Sequence, residues 1–450
     1  MLLSLLSERP TAVRGEGVWL YDADGRAYLD GCSGAVAANI GHGVAEVADA
    51  MAAQARMVAF PHRSQFHNEP AERLAGELAA WTGGQLPYAM FTSSGSEAVE
   101  AAVQLALRYH AARGDAERTI VLSRRMSYHG ATLGARSAGG NPVRRAPFAP
   151  LLHDWPQVDA PYCYRCPLRL DPGSCGSACL GSLEDAIAAH GPDRVAAFIA
   201  EPITGASAGA LRPPAGYYER VRETCDQFGV LFIADEVMTG AGRTGRPFGH
   251  QHWDARPDIL TFGKGIGGGY VALAGILCTS EVAEAVAKLP GGPGIGHTFT
   301  DTPVAAAAGG AVVAYLREFD LIRRAAQLGP QVRQALCDLA ESHGGGIVGD
   351  VRGEGLMWGL ELVADRQRRT PYPAHARVTA RLLAIAKRHG LLLYPAGGGI
   401  DGSLGDAVLV APPLTIGDDD LAELLRRLGV ALDDLAAELA VDAAATTPVR

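Results

Sequence analysis

The sequence predicts an α/β protein centred on a mostly parallel sheet, with a smaller α+β layer beside it. Three observations carry that expectation. Short apolar runs such as "VAAFIA" and "LFIAD" lack the polar alternation of a half-exposed strand, so both of their faces need cover. Between such runs lie stretches with apolar residues three and four apart, the spacing of helices. The chain has 450 residues and is 48% hydrophobic. That is enough for two domains, since single cores stop growing near roughly 250–300 residues.

The elements follow in chain order. Residues 18–30, "VWLYDADGRAYLD", form two alternating apolar runs about Asp24-Gly25, which is a hairpin pattern. From residue 69, "EPAERLAGELAAWTGG" has helical spacing and a stop at Gly83-Gly84. "YAMFTSS" is a strand leading into the helix "SEAVEAAVQLALRYHAARG", and "RTIVLS" is the next strand. "VAAFIAEP" and "GVLFIADEV" bracket the helical "AGYYERVRETCDQFG"; "DILTFG" precedes the strand-like "VALAGILCTS". Alternation of this kind gives a parallel sheet with ligands at the carboxyl ends of its strands. After about residue 325 long helices dominate, broken by the strand pieces "GLMWGLEL" and "AVLVAPPL".

Charge removes some function classes. The net charge is -9 and no run of five or more Lys/Arg occurs, which argues against nucleic acid or an anionic membrane as partner. The opening "MLLSLLSERP" has no basic leader and is too short to span a bilayer, so a cytoplasmic location is expected. The 8 cysteines do not suggest a secreted disulfide scaffold in a chain this long.

The chemistry centres on "DILTFGKGIGGGY", residues 258–270, where Lys264 sits among glycines just after a strand. A phosphate-binding P-loop needs Gly five residues before the Gly-Lys pair and Ser/Thr after the Lys; Asp258 and Gly265 stand there. A dinucleotide fingerprint over Gly263, Gly265 and Gly268 needs a helix to follow, yet "YVALAGILC" reads as a strand. The third reading is a Schiff-base lysine of a pyridoxal phosphate enzyme, and its further demands are met in order along the chain. The pyridine nitrogen needs a carboxylate, and Asp235 of "LFIADEV" lies at a strand's carboxyl end. The phosphate needs a helix N-terminus, and "TSSGSEA" offers Ser94, Gly95 and Ser96. The ring needs a flat partner, and "SYHG" offers Tyr128 and His129. Each piece has a plainer explanation: a helix cap with Glu97 in its first turn, a solvated acidic pair, loop aromatics, an exposed lysine. Their joint occurrence favours the cofactor.

With these motifs in place, the sequence resembles the class III aminotransferases of the fold-type I pyridoxal phosphate group, and its pocket looks ω-transaminase-like. The resemblance is carried by "YLDGCSGAVAANIGHG", "FTSSGSEAVEAA", "SYHGAT", "AEPITG", "LFIADEVMTGAGRTG", "TFGKGIGGGY", "HTFTDTP", "VRGEGLMWGLEL" and "APPLTI". It implies a large cofactor-binding domain over residues 55–325, carrying a Cys-rich loop at 161–180, and a small domain from residues 1–54 and 326–450. It implies that Lys264 binds pyridoxal 5'-phosphate as a Schiff base and later moves a proton between substrate and cofactor. Asp235 would pair with the pyridine nitrogen, and Val237 and Tyr128 would pack the two ring faces. Gly95 and Ser96 would hold the phosphate, which Thr298 would reach from the partner subunit of a homodimer. Glu201 matches a position near the reacting centre. The implied reaction is a ping-pong exchange of an amino group between small-molecule amine and carbonyl substrates. Racemase, decarboxylase or lyase chemistry on the same fold, and a non-catalytic relative, are the alternatives.

Departures from the family pattern bear on substrate. An Arg that recognises α-carboxylates in some members is Leu409 here, and an Arg after "YHG" is Ala131. Aliphatic groups do not replace a bidentate guanidinium, so a 4-aminobutyrate or ornithine enzyme of the usual kind is disfavoured. Arg63 or Arg136 are the alternative anchors. Met238 stands where a polar residue is frequent, and Asp301-Thr302 where Gly-Asn or Gly-His is common. Glu201, with no Arg opposing it, is expected to face a cationic group of the substrate.

One cluster lies outside this pattern. "YCYRCPLRLDPGSCGSAC" brings Cys163, Cys166, Cys175 and Cys179 together as C-x2-C-x8-C-x3-C. Such spacing suits a structural zinc ion, and packed thiols or disulfides are the other readings.

Overall fold

A computed structural model describes residues 9–171 and 173–446. Near the amino end, β1 (Ala12–Glu16), β2 (Trp19–Asp22) and β3 (Ala27–Asp30) form an antiparallel meander. The predicted turn is present: Asp22 Oδ1 accepts the N–H groups of Asp24 (3.1 Å) and Arg26 (2.9 Å), and Gly25 takes φ +79°, where glycine is favoured. The predicted helix runs Glu69–Trp81, capped by Asn68, whose side chain accepts Ala71 N–H at 3.0 Å. Its Leu74 and Leu78 are fully buried, and it ends before Gly83 and Gly84, both at positive φ.

The central sheet has seven strands. They are β4 (Tyr88–Thr92), β5 (Ile120–Arg124), β6 (Gln157–Val158), β7 (Val195–Ala200), β8 (Leu231–Asp235), β9 (Ile259–Phe262) and β10 (Ala274–Cys278), in the order β4-β10-β9-β8-β7-β5-β6. Parallel pairing joins β5 to β6, and runs from β5 through β7 and β8 to β9. The one departure from a parallel sheet is β10, antiparallel to both β4 and β9. It follows β9 after a glycine-rich turn, too short a connection for the crossover that a parallel return requires.

Both faces of the sheet are covered, as its continuous apolar runs require. Ala197, Ile199 and Ile233 pack with Val99, Val103 and Ala106 of the helix Gly95–Ala112. Their neighbours Phe198, Ala200 and Phe232 point the other way, into a cluster with Ile187, Val221 and Cys225; these belong to the helices Gly181–His190 and Tyr217–Phe228. Phe198 and Phe232 are fully buried, each burial being worth about 1.5–3 kcal/mol.

The helical run begins earlier than the sequence predicts, at Pro303–Glu318, followed by Leu321–Ser342. A third sheet contains β11 (Val348–Glu354), β12 (Met357–Leu362), β14 (Tyr394–Pro395) and β15 (Asp406–Val410), ordered β11-β12-β15-β14. Between them β13 (Leu391–Leu392) pairs in parallel with β3, so segments near the two ends of the chain share a sheet. No helix among the described residues is long and apolar enough to cross a membrane.

Candidate active site

Because β10 reverses direction, β4 runs with β5, β7, β8 and β9, and all five present their carboxyl ends at one edge. The residues that follow converge there. Gly95, Ser96, Tyr128, His129, Glu201, Asp235, Val237 and Lys264 line one cavity of about 180 Å³, together with Gly130, Ala206 and Met238. A larger cleft of about 990 Å³ lies elsewhere, beside Arg165, Arg352 and Arg369. It holds no lysine and none of the strand-end groups, so the chemistry belongs to the smaller one.

Asp235 ends β8 and is buried. A buried carboxylate is costly unless its oxygens are satisfied. Oδ1 accepts the Thr261 hydroxyl at 3.0 Å and the Val237 N–H at 3.1 Å; Oδ2 lies 2.7 Å from His129 Nδ1. Thr261 reaches it because β8 and β9 place the two residues opposite each other. His129 thereby has a part that sequence reasoning missed: it fixes the carboxylate. The signal was the cost of burying Asp235, which calls for protein partners as well as a ligand.

Lys264 follows β9 in a short helical turn with φ +45°, unusual for a non-glycine residue. Withdrawal of its amine from water pulls the pKa down to about 8, against the raising influence of Asp235 and Glu201. The flanking glycines are there for space. A Cβ on Gly265 would come within 2.0 Å of the Asn39 amide, which is held between Ala241 O and Arg243. A Cβ on Gly95 would meet Val237 at 2.8 Å. This answers the lysine's surroundings: glycine lets the backbone of three elements close around one amine.

Gly95 and Ser96 begin the 18-residue helix Gly95–Ala112, whose N-terminal amides and dipole favour an anion. Ser96 Oγ accepts Ala131 N–H at 3.0 Å. Ser94 does not line the cavity; its hydroxyl caps the helix by accepting Glu97 N–H at 3.3 Å, while Glu97 accepts Ser93 N–H at 2.8 Å. The plain capping reading of this motif is therefore met by Ser94 and Glu97, while Gly95 and Ser96 line the cavity.

Glu201 follows β7 and is buried, accepting Tyr128 N–H and Gly205 N–H, each at 3.3 Å. Burial pushes its carboxyl pKa up, with His129 acting in the opposite sense. Beneath it Arg124, at the end of β5, is fully buried and donates to Glu201 O, to the Tyr218 hydroxyl (3.1 Å) and to Thr204 Oγ1 (3.1 Å). Met238 forms one wall, packed so closely on Gly205 that a Cβ there would meet its sulfur at 1.9 Å.

Other expected residues lie apart. Thr298 is exposed and outside this cavity, on a segment tied to the helix start by His297 and Glu97 (3.2 Å). Arg63 and Asp301 line a different cavity. Arg136 donates to Arg144 O and Ala131 O and lies over the Phe148 ring.

The zinc expectation is not met. Cys163, Cys166, Cys175 and Cys179 line one small cavity with Pro161, Pro167 and Leu168, but among the described residues no three metal-capable side chains form a metal-holding group. Burial pushes the Cys179 thiol up to about 11 and also raises that of Cys163, which opposes the thiolate form that metals bind. The loop is held instead by Tyr162 and Arg165, both donating to Glu361 of β12.

The cavity fits pyridoxal phosphate. It offers a neutralisable amine, a buried carboxylate and a helix N-terminus, and His129 Nε2 is buried there with no hydrogen-bond partner among the described residues.

The model of the family "Aminotransferase class-III" matches residues 7–432. The aminotransferase YodT of Bacillus subtilis, described as uncharacterized, is 41% identical over 421 residues, covering 94% of each chain. Among solved structures, an (S)-enantioselective ω-transaminase from Thermomicrobium roseum is 37% identical with a TM-score of 0.88, covering 95% of this chain and 93% of that one. An amine transaminase from an uncultivated Pseudomonas species, in its PLP-bound form, is 36% identical with a TM-score of 0.89 over 95% of both chains. Sequence, strand-end geometry and these likenesses agree, and the chain belongs to the class-III aminotransferase family.

Proposed function

We propose that the protein is a pyridoxal phosphate-dependent ω-transaminase-like enzyme. It takes an amino group from an amine or ω-amino donor and passes it to a keto acid or aldehyde in a second half-reaction. The observation that carries this reading is the placement of Lys264 and Asp235 in one cavity at the N-terminus of Gly95–Ala112. When bound, the cofactor supplies the aldehyde that takes up the amino group and the ring that withdraws electrons from the substrate carbon.

The chain's own groups do the rest. Gly95 and Ser96 would hold the phosphate at the helix N-terminus. Asp235, fixed by His129 and Thr261, would keep the ring nitrogen protonated. Val237 and Tyr128 would give the ring its apolar contacts. Lys264, with its lowered pKa, would anchor the cofactor and afterwards carry the proton.

We infer a homodimer in which Thr298 completes the partner's phosphate site. Supporting this, Phe299 beside it is 59% exposed and packs edge-on to Phe60, which is also exposed. An apolar patch of this kind marks a protein contact. A large domain over residues 55–325 and a small one from both ends are part of the same reading, supported by the pairing of β13 with β3. A cytoplasmic location is supported by the buried thiols of Cys32, Cys225 and Cys278, which a reducing compartment preserves.

The test is spectroscopic. The holoenzyme's visible band should bleach with an amine donor and return with a keto acid; a band indifferent to every amine in a diverse set contradicts the reading.

A further inference from the structure

The protein carries a net charge of -9, yet one part of its surface reverses that sign. The cleft of about 990 Å³ beside the cysteine loop is lined by Arg165, Arg169, Arg212, Arg352, Arg368 and Arg369, against two carboxylates, Asp171 and Asp350. Guanidinium groups gathered in one place repel one another unless anions stand between them. Which of them the protein already neutralises therefore decides what the cleft can take.

Four of the six are paired. Arg352 meets Asp350 at 2.7 Å and Glu361 at 2.6 Å, and Glu361 also receives Arg165 Nε at 2.6 Å. Arg212 meets Glu354 at 2.8 Å, and Arg368 lies 3.6 Å from Asp365. Arg169 and Arg369 are exposed, and no carboxylate among the described residues pairs with either. Arg165 is itself only half used: its Nη2 is buried with no hydrogen-bond partner among the described residues.

The backbone adds a second observation. Arg169 and Arg369 stand at φ +57° and +55°, a left-handed conformation that suits glycine and is uncommon for a long side chain. Strained positions of this kind gather where a side chain is put to use. The loops that carry them are laced together, since Arg165 Nη1 donates to Arg369 O and Arg369 Nη1 donates to Tyr164 O at 2.6 Å. The guanidinium carbons of Arg165 and Arg369 stand 5.3 and 4.9 Å from the centre of the Tyr164 ring. An aromatic support of this sort positions the cation without cancelling its charge.

We propose that this cleft binds a small polyanion bearing two or more phosphoryl groups, held by Arg165, Arg169 and Arg369. A chain of phosphates offers charge and acceptors in several directions, as three guanidinium groups on two loops require, whereas one planar carboxylate fills a single fork. The cleft is separate from the cavity of Lys264, and its ligand does not depend on the aminotransferase reading.

The test titrates tripolyphosphate, ATP and citrate calorimetrically into protein saturated with pyridoxal phosphate, so that a phosphate position at Gly95 and Ser96 is filled beforehand. Tripolyphosphate and ATP should each bind once per chain. Arg169→Gln, which removes a side chain with no partner among the described residues, should weaken both about 10-fold, and Arg169→Gln/Arg369→Gln about 100-fold. Equal binding of the two assigns the phosphate chain as the ligand, and tighter binding of ATP assigns a nucleotide; either supports the site. No binding of either at about 1 mM, an affinity unchanged in both variants, or citrate held as tightly as tripolyphosphate overturns the proposal.

Discussion

His129 Nδ1 lies 2.7 Å from Asp235 Oδ2, and both side chains are buried. The pair is not a surface ornament of the strand end. It leaves the carboxylate oriented by three donors, so the acid is held in place before any ligand arrives.

Replacing Asp235 with Asn keeps the shape and removes the charge. With about 3 kcal/mol at stake in a desolvated charge pair, kcat/KM should fall roughly 100-fold or more, and the cofactor should be lost on dialysis. Steady-state kinetics and absorbance check both. His129→Asn should show a smaller loss in the same direction, because Thr261 and Val237 still hold the other oxygen.

Lys264 sets a pH dependence. With a pKa of about 8, about a tenth of the amines are neutral at pH 7, against well under roughly a thousandth for an ordinary lysine. The rate at which apoenzyme gains its visible band on adding pyridoxal phosphate should therefore rise to about pH 8 and then level off. A rate still climbing at pH 10 contradicts this. The unfolded chain binds the extra proton between the lowered value and the ordinary 10.5, so apoenzyme stability should also rise with pH through that window.

Glu201 is buried with two backbone donors, and no cation among the described residues forms an ion pair with its carboxylate. A donor with a second ammonium group would supply one. Glu201→Gln should lower kcat/KM for diamines about 10-fold more than for a neutral monoamine; equal losses would remove this role.

How much of this was legible beforehand depended on range. The strands, the hairpin at Asp24-Gly25 and the helix from Glu69 were readable because their causes are local: alternation, caps, glycine stops. The strand-end motifs were readable because a parallel sheet gathers such ends at one edge. The reversal of β10 was hidden, since a fully buried strand has the same apolar texture in either direction. The pairing of His129 with Asp235 spans 106 positions and has no spacing signature. Arg165 and Arg369 are 204 positions apart, and only the fold brings them to one cleft. The cysteines misled for the opposite reason: their spacing suits a metal, but the apolar walls around them favour the protonated thiol.

The loop that carries those cysteines makes its own prediction. Glu361 is buried and receives hydrogen bonds from Tyr162, Arg165 and Arg352. Burial pushes its pKa up, but the Arg352 charge, the Tyr162 hydroxyl and Arg165 more than offset this and hold it below the ordinary value. Glu361→Gln should cost about 3–5 kcal/mol at pH 7, read from urea denaturation. A depressed carboxyl contributes stability above its unfolded pKa and loses it as pH falls, so the gap between wild type and variant should narrow below about pH 4.5.

The most direct measurement is borohydride reduction of the holoenzyme followed by peptide mass analysis. The peptide containing Lys264 should carry a reduced pyridoxyl-phosphate adduct, and Lys264→Ala should carry none anywhere. An unmodified Lys264 peptide from protein saturated with the cofactor, or an adduct on another lysine, would contradict the account.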